Sequence, residues 1–92
     1  METLSREEKI QQGLKAAALL DNADLMSFFT DELERIKVCM VNTRPDEGKE
    51  RNLLYYQHYA LNELVASLTA YKEAAITEIE ALEAENNQKE VN

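Results

Sequence analysis

The chain has 92 residues, of which 45% are apolar and 30% charged, and its ten Lys and Arg against eighteen Asp and Glu leave a net charge of −8. A chain of this length makes one small domain, and its apolar content is too high for a disordered segment. The acidic balance excludes direct nucleic-acid binding, in which cations must displace counterions from phosphates, and it excludes attraction to anionic membranes.

Two glycines, one proline and no tryptophan interrupt the chain. So few breakers point to a few long helices rather than many short strands. The expected fold is all-α: two shorter helices packed on one long C-terminal helix, a helical bundle with a coiled-coil-like extension. The whole of 1–92 is expected to form a single helical domain.

The first helix is predicted over 5–20. Ser5 followed by Glu8 reads as a capping box, in which each side chain answers the other residue's backbone N–H. Ile10, Leu14, Ala17 and Ala18 give its apolar face. Gly13 costs about 1 kcal/mol relative to alanine inside a helix. Either the helix is weak there or a neighbour packs close. The string DNAD (21–24) then reads as a tight connection, with Asp21, Asn22 or Asp24 able to cap the second helix.

The second helix is predicted over 24–41. Met26, Phe29, Leu33, Ile36 and Met40 form one seam, widened by Leu25 and Phe28. Asp31 and Arg35 are spaced as an i,i+4 ion pair. The string NTRPDEG ends this helix, and Pro45 is expected at the first position of the next.

The third helix is predicted over 45–86, about 60 Å at 1.5 Å per residue, with a frayed tail at 87–92. Leu54, Leu61, Leu68, Ala75 and Leu82 recur every seven residues. Leu64 or Val65, Tyr71 and Ile79 fill the intervening positions. The first two helices are expected to cover only its first half, up to about Leu68. The stripe Tyr71, Ala75, Ile79 and Leu82 is then left to a second copy of the chain, which makes a homo-oligomer the expected state.

Two clusters invite a chemical reading. LLYYQHYALNEL (53–64) holds three of the four tyrosines and the only histidine. On a helix Tyr55, His58, Tyr59 and Asn62 share a face, where His58 would be a base oriented by Asn62. No nucleophile or second metal ligand joins them, so an amphipathic seam with wet hydroxyls is the better account. Tyr55, Tyr56 and Tyr59 remain candidates for contact with a partner, since tyrosine is favoured at interfaces.

The second cluster is the carboxylate run Glu73, Glu78, Glu80, Glu83 and Glu85. It reads either as the solvated outside of a coiled coil or as a decoy for DNA phosphates. No Gly-rich phosphate loop, nucleophile elbow, paired Cys motif or Glu-x-x-His motif is present. The expectation is no enzyme, no cofactor and no metal site. Cys39 in VCMV reads as a buried, inert thiol of a reducing compartment. The charged opening METLSREEKI is unlike a signal peptide, and the longest apolar run, AAALL (16–20), is too short to span a membrane.

The segments LKAAALLDN (14–22), FFTDEL (28–33), NTRPDEGKERNLLYY (42–56) and ALNELVASL (60–68) together resemble small helical proteins encoded among the virion-assembly genes of tailed bacteriophages. The resemblance covers roughly 14–72 and carries over no catalytic residue. It implies a minor head or neck component, or an assembly helper, in the host cytoplasm or the virion. Other phage structural proteins are then the expected partners, beside further copies of the chain. The alternative is a small acidic inhibitor or DNA-mimic-type protein bound to a basic host defence or transcription factor.

Overall fold

The computed structural model describes the backbone of residues 4–91 and the side chains of residues 4–88. Three helices succeed one another: α1 (Arg6–Leu20), α2 (Ala23–Val41) and α3 (Gly48–Val91). The two shorter helices pack on the long C-terminal one, each within its own compact unit. One unit joins α1 to α3 from Leu68 onward, and the other, Asp21–Ser67, joins α2 to the start of α3.

In the first unit the capping box forms as its sequence implies. The Glu8 amide donates to Ser5 Oγ at 3.2 Å, and the Ser5 amide donates to Glu8 Oε1 at 3.4 Å. Both satisfy backbone donors that a helix start leaves without partners. The buried face of α1 differs from the expected one. Gly13 and Ala16 are buried, with Ile10, Ala17 and Leu20 half-buried, while Leu14 and Ala18 are exposed. A face chosen by side-chain hydrophobicity overlooks glycine, although glycine is what permits the closest approach. A Cβ at position 13 would collide with the Ala75 Cβ and come within 2.5 Å of the Tyr71 carbonyl oxygen. Gly13 has no positive φ, so its value lies in the missing side chain.

This contact corrects the expectation that α1 lies on the first half of α3. Gly13 meets Ala75, while Arg6 reaches Glu78 and Glu85, so α1 runs antiparallel to the second half. Ala75, expected to be left for a second copy, is 2% exposed and covered by its own chain. Ile79 and Leu82 are half-buried, and Tyr71 is exposed.

In the second unit Asn22 is the cap of α2, its side-chain oxygen accepting from the Leu25 amide at 3.0 Å. The seam Met26, Phe29, Leu33, Ile36 and Met40 is inward throughout, with Ile36 only 4% exposed. Phe28 departs from expectation at 65% exposed. Arg35 pairs with Glu32 rather than Asp31, with Nε 3.0 Å from Oε1. One turn of helix separates both candidates from Arg35, and the i,i+3 carboxylate takes the guanidinium.

The helices α2 and α3 are joined by a turn that holds its own bonds. The Asn42 amide donates to the Val38 carbonyl, and Thr43 Oγ1 donates to the Met40 carbonyl at 2.7 Å. Pro45 falls inside this turn rather than at the start of α3. The Glu47 amide donates to the Arg44 carbonyl at 2.9 Å, and the Arg44 amide donates to Glu47 Oε1 at 2.8 Å. This reciprocal clasp sets Pro45 at the second position of a β-turn, which its fixed φ suits. The helix opens after it, at Gly48. It runs as far as Val91, and Asn92, the last residue of the expected 87–92 tail, lies outside the described residues.

Along α3 the seven-residue line Leu54, Leu61, Leu68, Ala75, Leu82 is covered to some degree at every position. At the intervening site Val65 faces inward and Leu64 is exposed. No described helix is long and apolar enough to cross a membrane.

Candidate functional site

The expected candidates separate into three groups once the helices are placed. The carboxylates of the C-terminal stretch do not act as one array. Arg6 Nε lies 3.0 Å from Glu78, Arg6 Nη1 lies 3.2 Å from Glu85, and Lys9 Nζ lies 3.8 Å from Glu78. Hydrogen bonding to Glu85, with Glu78 beside it, holds the Arg6 guanidinium still more firmly protonated. Two of the five carboxylates therefore carry internal counterions, and Glu73, Glu80 and Glu83 stand exposed. The basic partners come from α1, about seventy residues away along the chain, so local sequence gives no sign of them.

The His58 group is brought together in part. Asn62 Nδ2 lies 3.3 Å from His58 Nδ1, an amide donor facing a ring acceptor. Tyr55 and Tyr59 are both exposed, and Tyr55 meets Tyr56 edge-on at 6.0 Å between ring centres. Asn62 orients the His58 ring on α3. Cys39 is half-buried rather than buried, with Arg35 Nη1 4.0 Å from its sulfur. Among the described residues no group of three or more His, Cys, Asp or Glu could hold a metal ion.

The third group is a surface. From Asn52 to Tyr71, twenty residues of α3, the only charged side chain is Glu63, in a chain that is 30% charged. In the second unit this stretch turns Leu53, Tyr56, Ala60 and Leu64 outward at spacings of 3, 4 and 4, which is one stripe of a helix. Leu53 is 60% exposed and Tyr56 66%. Beside the stripe Gln57, Ala60, Leu61 and Leu64 form one wall of a groove of about 460 Å³, and Glu32, Arg35 and Ile36 of α2 form the other.

Leu53 and Leu64 were absent from the expected contact residues. Their signal is present in the sequence as the charge gap and the outward spacing, but it is masked by the stronger seven-residue line on the neighbouring face. Single exposed apolar residues are ordinary, whereas here three large ones and Ala60 stand in one contiguous strip. Among the described residues thirteen large apolar side chains are exposed while only Ala16, Ile36 and Ala75 are buried.

Comparison with models of protein families, with curated proteins and with solved structures gives no match for this chain.

Proposed function

We propose that this chain is a non-enzymatic helical protein that works by associating with itself, and that it contributes to the structure or assembly of a tailed-bacteriophage particle. The observation that carries self-association is the exposed, nearly uncharged strip Leu53, Tyr56, Ala60 and Leu64 on α3. Covering a leucine side chain removes apolar surface from water and stabilises by roughly 1.5–3 kcal/mol when burial is complete. The phage setting, as minor head or neck component or assembly helper, is supported by the resemblance over residues 14–72.

The reading as an acidic inhibitor draws less support. Arg6 and Lys9 occupy Glu78 and Glu85, which leaves a decoy for phosphates with three of its five carboxylates.

Solution mass by light scattering at several concentrations tests the proposal. A mass at twice 10.5 kDa or more supports self-association, and a concentration-independent 10.5 kDa overturns it. Capture from infected-cell lysate tests the setting. Portal, capsid or tail proteins support assembly, whereas a stoichiometric basic host protein released by salt supports the inhibitor instead.

A further inference from the structure

We infer that a second copy of this chain docks on the α3 strip in antiparallel orientation, with the two-fold axis passing near Ala60. This inference rests on the self-association proposed above and names its surface. Three observations carry it.

The first is charge. Two chains of −8 repel wherever their carboxylates face each other, and the cost is least where charge is absent. Asn52–Tyr71 is that place, with Glu63 its single charge. A basic partner gains little from so neutral a surface, whereas a second copy meets on it with the least repulsion.

The second is the pairing that each orientation produces. In parallel register Glu63 would face Glu63 of the other copy, and the acidic ends of α3 would lie side by side. Antiparallel pairing about Ala60 moves Glu63 to Gln57, Tyr56 to Leu64, and Leu53 to Ser67. Each large side chain then meets an apolar or small one, and the small residue at the axis allows the helices to approach.

The third is the groove. Leu64 lines the hollow of about 460 Å³ beside the strip, so a Tyr56 ring facing Leu64 from the second copy lies at its mouth. Its apolar floor suits the ring, and Glu32 and Arg35 at the rim suit the hydroxyl.

Two experiments on the full chain test this. Tyr56→Glu with Leu64→Glu changes only exposed positions, so helicity by circular dichroism is expected to persist while the mass halves and dimerisation weakens about tenfold or more. In a Cys39→Ser background, chains carrying Gln57→Cys are mixed with chains carrying Glu63→Cys and oxidised. A disulfide between the two kinds of chain, well above that from either alone, is the expected result. Loss of helicity in the double variant transfers the decision to the disulfide experiment, since positions 57 and 63 are exposed and cysteine is small. A double variant that remains helical and dimeric, or a Gln57→Cys chain that cross-links mainly to itself, overturns the inference while leaving self-association standing. A wild-type chain that is monomeric throughout overturns both.

Discussion

The two units of this molecule pack by opposite means. In the first, α1 lies against α3 through residues with almost no side chain, Gly13 and Ala16 on Ala75, and Arg6 and Lys9 close the rim on Glu78 and Glu85. In the second, α2 lies against α3 through long side chains around Ile36, and the outward face of α3 is left apolar and nearly uncharged. Small residues bring backbones together and let short-range contact and ion pairs finish the surface. Large residues fill more space, yet here they leave leucine and tyrosine facing water. Both units leave apolar side chains in water, Leu14, Leu19, Tyr71 and Ile76 in the first and Leu53, Tyr56 and Leu64 in the second, but only the second sets them in a nearly uncharged stretch of α3.

The largest expected effect tests the second unit. Ile36→Ala removes the one large side chain that is nearly enclosed among the described residues, and large-to-small changes of this kind cost about 2–5 kcal/mol. Denaturant unfolding followed by helicity measures it. A loss below about 1 kcal/mol would mean that Ile36 is not the anchor of this helix pair.

The matching change in the first unit is Gly13→Ala, for which two effects oppose. Alanine improves helix propensity by about 1 kcal/mol. Against this, the added methyl meets the Ala75 Cβ and the Tyr71 carbonyl oxygen, neither of which is the flexible end of a side chain. Overpacking of this kind costs about 1–3 kcal/mol, so the net expectation is a destabilisation of about 1 kcal/mol. Gly48→Ala is the control. A Cβ there meets nothing nearer than 4.0 Å, so unfolding measurements should show Gly13→Ala as the harmful change of the two. Gly13→Ala proving more stable than the parent would show that α1 can move away from α3 at little cost.

A smaller effect belongs to the start of α2. Asn22→Ala removes the acceptor for the Leu25 amide, and the loss of such a cap costs about 1 kcal/mol. Thermal unfolding of Asn22→Ala beside Asn22→Ser separates the hydrogen bond from the rest of the side chain. Serine restores an acceptor and should recover most of the loss.

The parts of this fold that are legible in the sequence are those set by local chemistry. The Ser5–Glu8 box, the cap in DNAD and the seam through Ile36 each lie within a few turns of chain, and each forms as its residues imply. Pro45 departs from expectation because the same residue suits a helix start and a β-turn, and the Arg44–Glu47 clasp decides between them. The place of α1 on α3 is hidden for a different reason. Apolar periodicity measures how much surface a face can bury, while Gly13 and Ala75 meet because they have so little. The ion pairs of Arg6 depend on that placement and are hidden with it. The tyrosines of 53–64 stand more than half exposed, where a seam would pack their rings and leave only the hydroxyls wet, and the leucines beside them are hidden behind the stronger pattern on the neighbouring face.

The smallest effect sharpens the comparison at the edge of the groove. Hydrogen bonding from Arg35, together with its charge, holds the Glu32 carboxyl below its ordinary value of 4.5, and partial desolvation opposes this only in part. A carboxyl with a lowered folded-state pKa stabilises above its unfolded value, and that contribution fades as pH falls through the folded one. Wild type and Glu32→Gln should therefore lose different amounts of stability only as the solution is taken below about pH 4.5, with parallel behaviour above it. Salt should shrink the difference, because the pair is solvent-exposed and screened. Thermal unfolding across about pH 3–7 at low and high salt reads both trends, a range that reaches well below the ordinary carboxylate value. A divergence that begins near neutrality would assign the pH dependence to some other group. The rim of the groove would then be set by packing of the Arg35 stem rather than by its charge.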